Sequence, residues 1–157
     1  MNNIDNIYIT NMTEKYAEQI STWSYGDGSF SIYNQDSPPV DEQHLAFIGD
    51  DENLLGYFCF GSEAKIPAKE NDAYCEDYLD IGLHIRPDLT GKGLGNIFLS
   101  ASLNYLRKNL GASLFRATIA SFNSRAIALC LGAGFCIEKE ITHTLTGNKF
   151  TIIKKRD

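Results

Sequence analysis

The sequence predicts an α/β fold of the α+β kind: a mixed sheet with helices packed against it. Three observations predict it. Stretches of period two and stretches of helical period alternate in the order β-α-loop-β-β-β-α-β-α-β-β. One strand pattern, Leu79–Ile85, runs through a glycine-rich turn straight into a helical pattern from Gly95 to Leu110. Nothing in the 157 residues reads as a repeat, a low-complexity tract or a linker, so residues 1–157 are expected to form one domain.

Ile7–Thr10 reads as a short strand. Thr13 can cap a helix whose apolar face holds Tyr16, Ala17, Ile20 and Trp23. Ser24–Glu42 has no clear period; its length, glycines and aromatics suit a lid or substrate wall, with Tyr25 and Tyr33 as candidate acceptor contacts, or a missed short helix. His44–Ile48 and Leu54–Phe60 form a hairpin across Gly49–Asn53. Ser62–Glu76 is polar and reads as a loop. In Leu79–Ile85, Leu79, Ile81, Leu83 and Ile85 share one face, and Asp80, Gly82 and His84 the other, a polar face that reads either as part of a cleft or as a solvated strand face. Pro87 ends that strand. Leu114–Ile119 is a strand, Asn123–Leu131 a short helix capped by Asn123 or Ser124, and 135–144 with 149–154 a closing hairpin.

Composition narrows the function. The chain is 43% hydrophobic and 11% aromatic, and so globular. Its net charge of −6, from 14 basic and 20 acidic residues, argues against nucleic acid as a partner and suits a cationic or amine substrate. No apolar run is long enough to span a membrane, and the N-terminus has no signal-like pattern. The 4 cysteines show no C-x-x-C spacing, and a reduced cytoplasm is the expected setting. No metal is called for.

Gly91, Gly93 and Gly95 fall at every second position ahead of a helix start. Such glycines admit positive φ and close approach of a ligand, and the first N–H groups of the helix are unpaired and partly positive. Lys92 adds a full charge. The spacing is neither that of a Walker loop nor G-x-G-x-x-G. Arg86–Gly95 resembles the coenzyme A loop of the GNAT acyltransferase superfamily, Arg/Gln-x-x-Gly-x-Gly/Ala, with Thr90 in place of the Arg or Gln. Asn123-x-x-Ala126 leading to Gly132-Ala-Gly-Phe135 resembles a later helix of the same superfamily. The element order is similar as well, so the resemblance covers most of the chain.

The resemblance implies a single GNAT-type domain with a mostly antiparallel mixed sheet flanked by helices. It also implies an acetyl-CoA-dependent N-acetyltransferase that moves an acetyl group to a primary amine by direct attack in a ternary complex. The cofactor contacts it implies are Thr90, Gly91, Lys92, Gly93, Leu94, Gly95 and Asn96 at the pyrophosphate. Leu83, His84 and Ile85 offer backbone to the pantetheine arm, and Asn123, Ala126 and Cys130 come from the later helix. A homodimer is compatible with it. Many members carry a tyrosine seven residues after the asparagine, which can protonate the leaving thiolate; here that position is Cys130, so a tyrosine acid is missing there.

An alkyl amine with a pKa near ~10.4 arrives charged and must lose a proton. Asp80 is the first candidate base, directly or through water, and His84 the second. A coenzyme A-binding regulatory module without turnover is the alternative that the absent tyrosine and absent Arg/Gln favour. The acceptor stays open among protein N-termini, lysine side chains, polyamines, aminoglycosides and amino acids.

Overall fold

The structure, a computed structural model, describes residues 6–26, 28–34 and 37–157. Among these the strands are β1 (Tyr8–Asn11), β2 (His44–Ile48), β3 (Leu54–Phe60), β4 (Leu79–Ile85), β5 (Leu114–Ala120), β6 (Cys136–Thr142) and β7 (Lys149–Arg156). The helices are α1 (Glu14–Ser21), α2 (Gly95–Leu110) and α3 (Ser124–Gly132). The strands hydrogen-bond in the order β1-β2-β3-β4-β5-β7-β6. β4 and β5 run parallel, whereas β1–β2, β2–β3, β5–β7 and β6–β7 are antiparallel. This is the mixed, mostly antiparallel sheet the sequence predicts.

The chain divides into two compact units, one comprising the residues up to Cys59 with Leu83–Ser102, the other Phe60–Gly82 with Leu103–Asp157. β4 and α2 each pass from one unit into the other, which is why no linker is visible in the sequence.

In the first unit, α1 begins where Thr13 Oγ1 accepts from Tyr16 N at 3.1 Å. The helix lays Ala17 and Ile20 against Met12, Ala46, Leu54 and Tyr57, with Tyr16 and Trp23 at the edge. The opposite face of the hairpin carries Phe47 and Phe58, whose rings lie 5.2 Å apart, and α2 places Phe98 5.0 Å from Phe47. Helices on both faces explain why β2 and β3 are apolar without alternation. The irregular stretch contains one 3₁₀ turn, Ser29–Tyr33, of the kind the sequence reading left open; Asp27, Gln35 and Asp36 lie outside the described residues.

In the second unit β7 lies between β5 and β6, and Ala73, Ile141 and Ile152 form a cluster with Ile66, Tyr74 and Phe150 around it. Gly111 ends α2 with φ 66°, its N–H reaching Arg107 O at 3.0 Å, the 5→1 bond of an αL cap, and Ala112 N reaches Leu106 O at 3.4 Å. On β4 one of the two readings of the polar face fails. Its polar positions do not form a solvated face: Asp80 is 2% exposed and Ile81 5%, and Leu83, His84 and Ile85 are half-buried. Both sides of the strand are covered, so period two no longer separates core from water.

Candidate active site

The site is built where β4 ends. Pairing with β5 runs from Leu79↔Phe115 to Ile81↔Ala117; the last three residues, Leu83–Ile85, belong to the first unit and carry no β5 partner in that register. β3 lies unusually close to them. A Cβ placed on Gly56 would sit 2.5 Å from the His84 carbonyl oxygen and 3.3 Å from Ile85 Cα, so only glycine permits this approach. Arg86 then fastens the strand's exit. Its N–H donates to Leu55 O at 2.9 Å and its Nη1 to Leu54 O at 2.8 Å, while Nε and Nη2 hold Asp88 at 2.6 and 3.1 Å. That guanidinium keeps the Asp88 carboxyl below the usual carboxylate range. From the other side the Tyr25 hydroxyl donates to Ile85 O at 2.6 Å. Sequence reasoning missed Gly56 and Arg86; the Arg86-Pro-Asp88 spacing, which lets one side chain grip the turn it starts, was the available signal.

The loop follows. Pro87–Leu89 makes one 3₁₀ turn, closed by Thr90, whose N–H and hydroxyl both reach Pro87 O, at 3.2 and 2.7 Å. The Thr90 side chain is therefore committed to its own turn, and what the loop offers outward is backbone. Gly91 and Gly93 take φ of 73° and 75°, and a Cβ on Gly93 would meet nothing within 4 Å. α2 begins at Gly95, with Ile97 N bonded to Leu94 O at 3.1 Å, so the N–H groups of Gly95 and Asn96 stand at the helix's positive end. Lys92 and Asn96 are exposed beside them, whereas Leu89 at 1% and Phe98 at 0% exposure anchor the loop's two ends.

His84 lies just upstream. Its ring stacks on Tyr57 at 4.4 Å between centroids and 6° between planes, and among the described residues no hydrogen bond holds it. Burial first, and the nearby His44 second, push its pKa down to about 4, so the ring is neutral at pH 7. Tyr25 meets Tyr33 edge-on at 6.2 Å, and burial pushes the Tyr25 hydroxyl up to about 12, which makes it a donor rather than a base. Leu83, His84, Ile85, Tyr25, Tyr33 and the loop from Thr90 to Asn96 thus all fall in the first unit.

Asp80, three residues before Leu83, is described with its own unit. It lies in the second unit, where both carboxylate oxygens accept from Arg116, Nε at 2.6 Å and Nη2 at 2.7 Å, and Lys65 stands 3.9 Å away. Arg116, itself 2% exposed, donates to Glu76 O at 3.0 Å and covers the Tyr74 ring at 4.9 Å. This carboxylate is the counter-ion of a buried guanidinium. Among the described residues no three His, Cys, Asp or Glu side chains gather as a metal site.

A family model for the acetyltransferase (GNAT) family matches residues 7–135, most of the chain. The chain belongs to that family. No curated protein sequence matches. Among solved structures, a spermidine N-acetyltransferase chimera from Vibrio cholerae superposes with a TM-score of 0.74 at 14% identity, over 97% of this chain and 96% of that one. A Salmonella typhimurium protein assigned as an acetyltransferase and solved with its cofactor acetyl-CoA gives a TM-score of 0.65 at 17% identity, over 97% of this chain and 94% of that one. At such identities the likeness shows the fold.

As a GNAT family acyltransferase the chain departs from many members at Cys130. α3 places this residue in the second unit at 7% exposure, and burial pushes its thiol up to about 12, so it carries no thiolate at neutral pH. Such an environment suits packing. Asn123 is the helix cap, its Oδ1 accepting from Ala126 N at 3.2 Å, so the Asn-x-x-Ala pattern reports a capped helix start in this chain.

Proposed function

We propose that this chain transfers the acetyl group of acetyl-CoA to a primary amine by direct attack in a ternary complex. One observation carries the reading: β4 leaves its β5 partner, is pinned by Gly56, Arg86 and Tyr25, and delivers the chain into two positive-φ glycines and a helix start within ten residues. The N–H groups around Gly91–Asn96, with Lys92, suit a pyrophosphate. Backbone of Leu83–Ile85 suits the pantetheine arm, and a strand N–H there can stabilise charge developing on the thioester oxygen. Acetyl-CoA supplies the acetyl group and carries away the electron pair of the broken C–S bond as a thiolate.

The neutral His84 ring is the group that faces the amine. An acceptor about six units less basic than an alkyl amine does not hold the proton outright. The ring instead takes a hydrogen bond from the amine nitrogen and lets the proton pass to water, as the new C–N bond forms. Tyr25 and Tyr33 wall the acceptor. In the second unit, Asn123, Ala126 and Cys130 have the family positions for cofactor contact, with Cys130 the weakest of the three given its burial. The family match across 7–135 and the continuity of β4 and α2 support reading the whole chain as one acetyltransferase domain. A small-molecule amine is the acceptor class that the spermidine N-acetyltransferase likeness supports.

A second reading, a coenzyme A-binding module without turnover, is favoured by one observation: the carboxylate on β4 itself, Asp80, is committed to Arg116. The test is release of free thiol from acetyl-CoA against a panel of primary amines that includes spermidine. Amine-dependent release establishes the transferase. Binding of acetyl-CoA without release by any amine establishes the module.

A further inference from the structure

In the first unit one side chain ties the acceptor wall together and has no part in the reaction as described. After α1 the chain runs out at Tyr25 and returns at Asn34, and a single amide joins the two ends. Asn34 Oδ1 accepts from Tyr25 N at 2.7 Å, and Asn34 Nδ2 donates to Gly26 O at 3.2 Å. The two partners need an acceptor and a donor side by side, which a primary amide offers and a carboxylate or an aliphatic chain does not. Gly26 takes φ of 95°, and a Cβ there would meet nothing within 4 Å, so glycine is required by the turn itself and not by crowding. Its N–H donates to Ser24 Oγ at 3.2 Å. On the return side, the 3₁₀ turn Ser29–Tyr33 ends at Asn34, whose own N–H reaches Ser31 O at 3.0 Å. Asn34 is exposed and fills no core. What its amide holds is a row of rings: Tyr25 edge-on to Tyr33 at 6.2 Å, and Phe30 at 6.2 Å from Tyr33. Tyr25 carries that row to β4, through its hydroxyl on Ile85 O at 2.6 Å.

We infer that Asn34 is a positioning residue for the amine acceptor: its amide staples the 25–34 loop shut, so that Tyr25 reaches Ile85 O and the Tyr25–Tyr33 wall stands at the end of β4. Closing a loop of this length by side chain removes the freedom its ends would otherwise have, and that fixes where the rings can stand. Hydrogen bonds exposed to water add little to the stability of the whole fold, so the consequence of this one is local. Asn34 acts through Tyr25, and on acceptor binding more than on coenzyme A. β4 stays held from β3 whether or not the loop is shut, by the close approach at Gly56 and by Arg86 on Leu54 O. Asn34 has this role only if Tyr25 and Tyr33 wall the acceptor, as proposed above.

The test has two arms that fail separately. In the first, hydrogen exchange of the Tyr25 backbone N–H is followed by NMR in ligand-free wild type and Asn34→Ala. Asn34 is exposed, so the variant is expected to fold, and its Tyr25 N–H should exchange about tenfold faster. Unchanged exchange overturns the inference whether or not the protein turns over. In the second arm, KM and kcat are measured with a primary amine that wild type accepts. In Asn34→Ala the KM for the amine should rise about tenfold, while kcat and the KM for acetyl-CoA stay within about twofold. Both KM values rising together would make Asn34 a general support of the fold and overturn its role at the acceptor. Tyr25→Ala should also raise the KM for the amine, and adding Asn34→Ala to it should change that KM by less than about twofold, because the staple then has no ring to hold. Losses that multiply in the double variant overturn the route through Tyr25. A wild type that turns over no amine removes the acceptor, and the inference with it, before any variant is compared.

Discussion

Replacing Asp80 by Asn separates an ion-pair role from a catalytic one. The change keeps size and removes charge, leaving Arg116, 2% exposed, with Glu76 O at 3.0 Å and the Tyr74 face at 4.9 Å. The Asn amide would also turn an N–H₂ toward a guanidinium. Breaking a buried pair by removing one partner costs about 3–5 kcal/mol. For a chain of this size each kcal/mol moves Tm by about 2–4 °C, so the loss is about 6–20 °C. Asp80→Leu combined with Arg116→Met should recover much of it, because neither charge is then left buried alone. The assay is thermal unfolding of the three variants together with kcat/KM measured well below the lowest Tm. Activity per folded molecule is expected to stay within a few-fold of wild type. An Asp80→Asn protein with unchanged Tm and a ~10²–10⁴-fold loss in kcat/KM would refute the reasoning and restore Asp80 as the base.

Four further outcomes follow from the same geometry. Gly93→Val forces a β-branched residue to φ 75° in open space, so it should fold yet lose the rise in Tm that acetyl-CoA gives wild type; calorimetric titration checks binding directly. Gly56→Ala should cost about 1–3 kcal/mol and raise KM for acetyl-CoA, because the 2.5 Å approach to His84 O can be relieved only by moving β4; equal Tm and KM would remove Gly56 from the account. His84 binds its proton less readily folded, at about 4, than unfolded, at about 6.5, so its contribution to stability is complete above pH 6.5 and is lost as pH falls from 6.5 toward 4; His84→Gln should flatten that part of a Tm-against-pH curve. Iodoacetamide should alkylate exposed Cys75 and Cys136 in the native protein and spare Cys130, and Cys130→Ala should keep kcat/KM within a few-fold; rapid native labelling at Cys130 would contradict its buried thiol.

Element positions were legible because each long segment carries one dominant period and clean punctuation: Thr13, Pro87, Gly95 and Gly111 bound elements in the structure where the residue types suggest they should. The glycine loop was legible for the same reason, since positive φ at Gly91 and Gly93 is a backbone demand that only a few residue types meet. What a strand pattern cannot give is what lies on its second face. Asp80, Gly82 and His84 alternate with apolar residues, and that pattern is the same for a wetted face as for one filled by a guanidinium 36 residues on. Pairs of that kind, and the stacking of His84 on Tyr57 of the neighbouring strand, arise from register between strands, on which composition and period are silent. Gly56 was read as an ordinary strand residue because the close approach it permits is to a backbone carbonyl far along the chain.

The central claim, that the loop after β4 holds acetyl-CoA for transfer to an amine, is tested most directly by the rate of thiol release from acetyl-CoA, with and without a primary amine, in wild type and Gly93→Val. Release is expected to depend on the amine in wild type and to vanish in the folded Gly93→Val protein. Release that is undiminished in Gly93→Val, or absent in wild type with every amine, would contradict it.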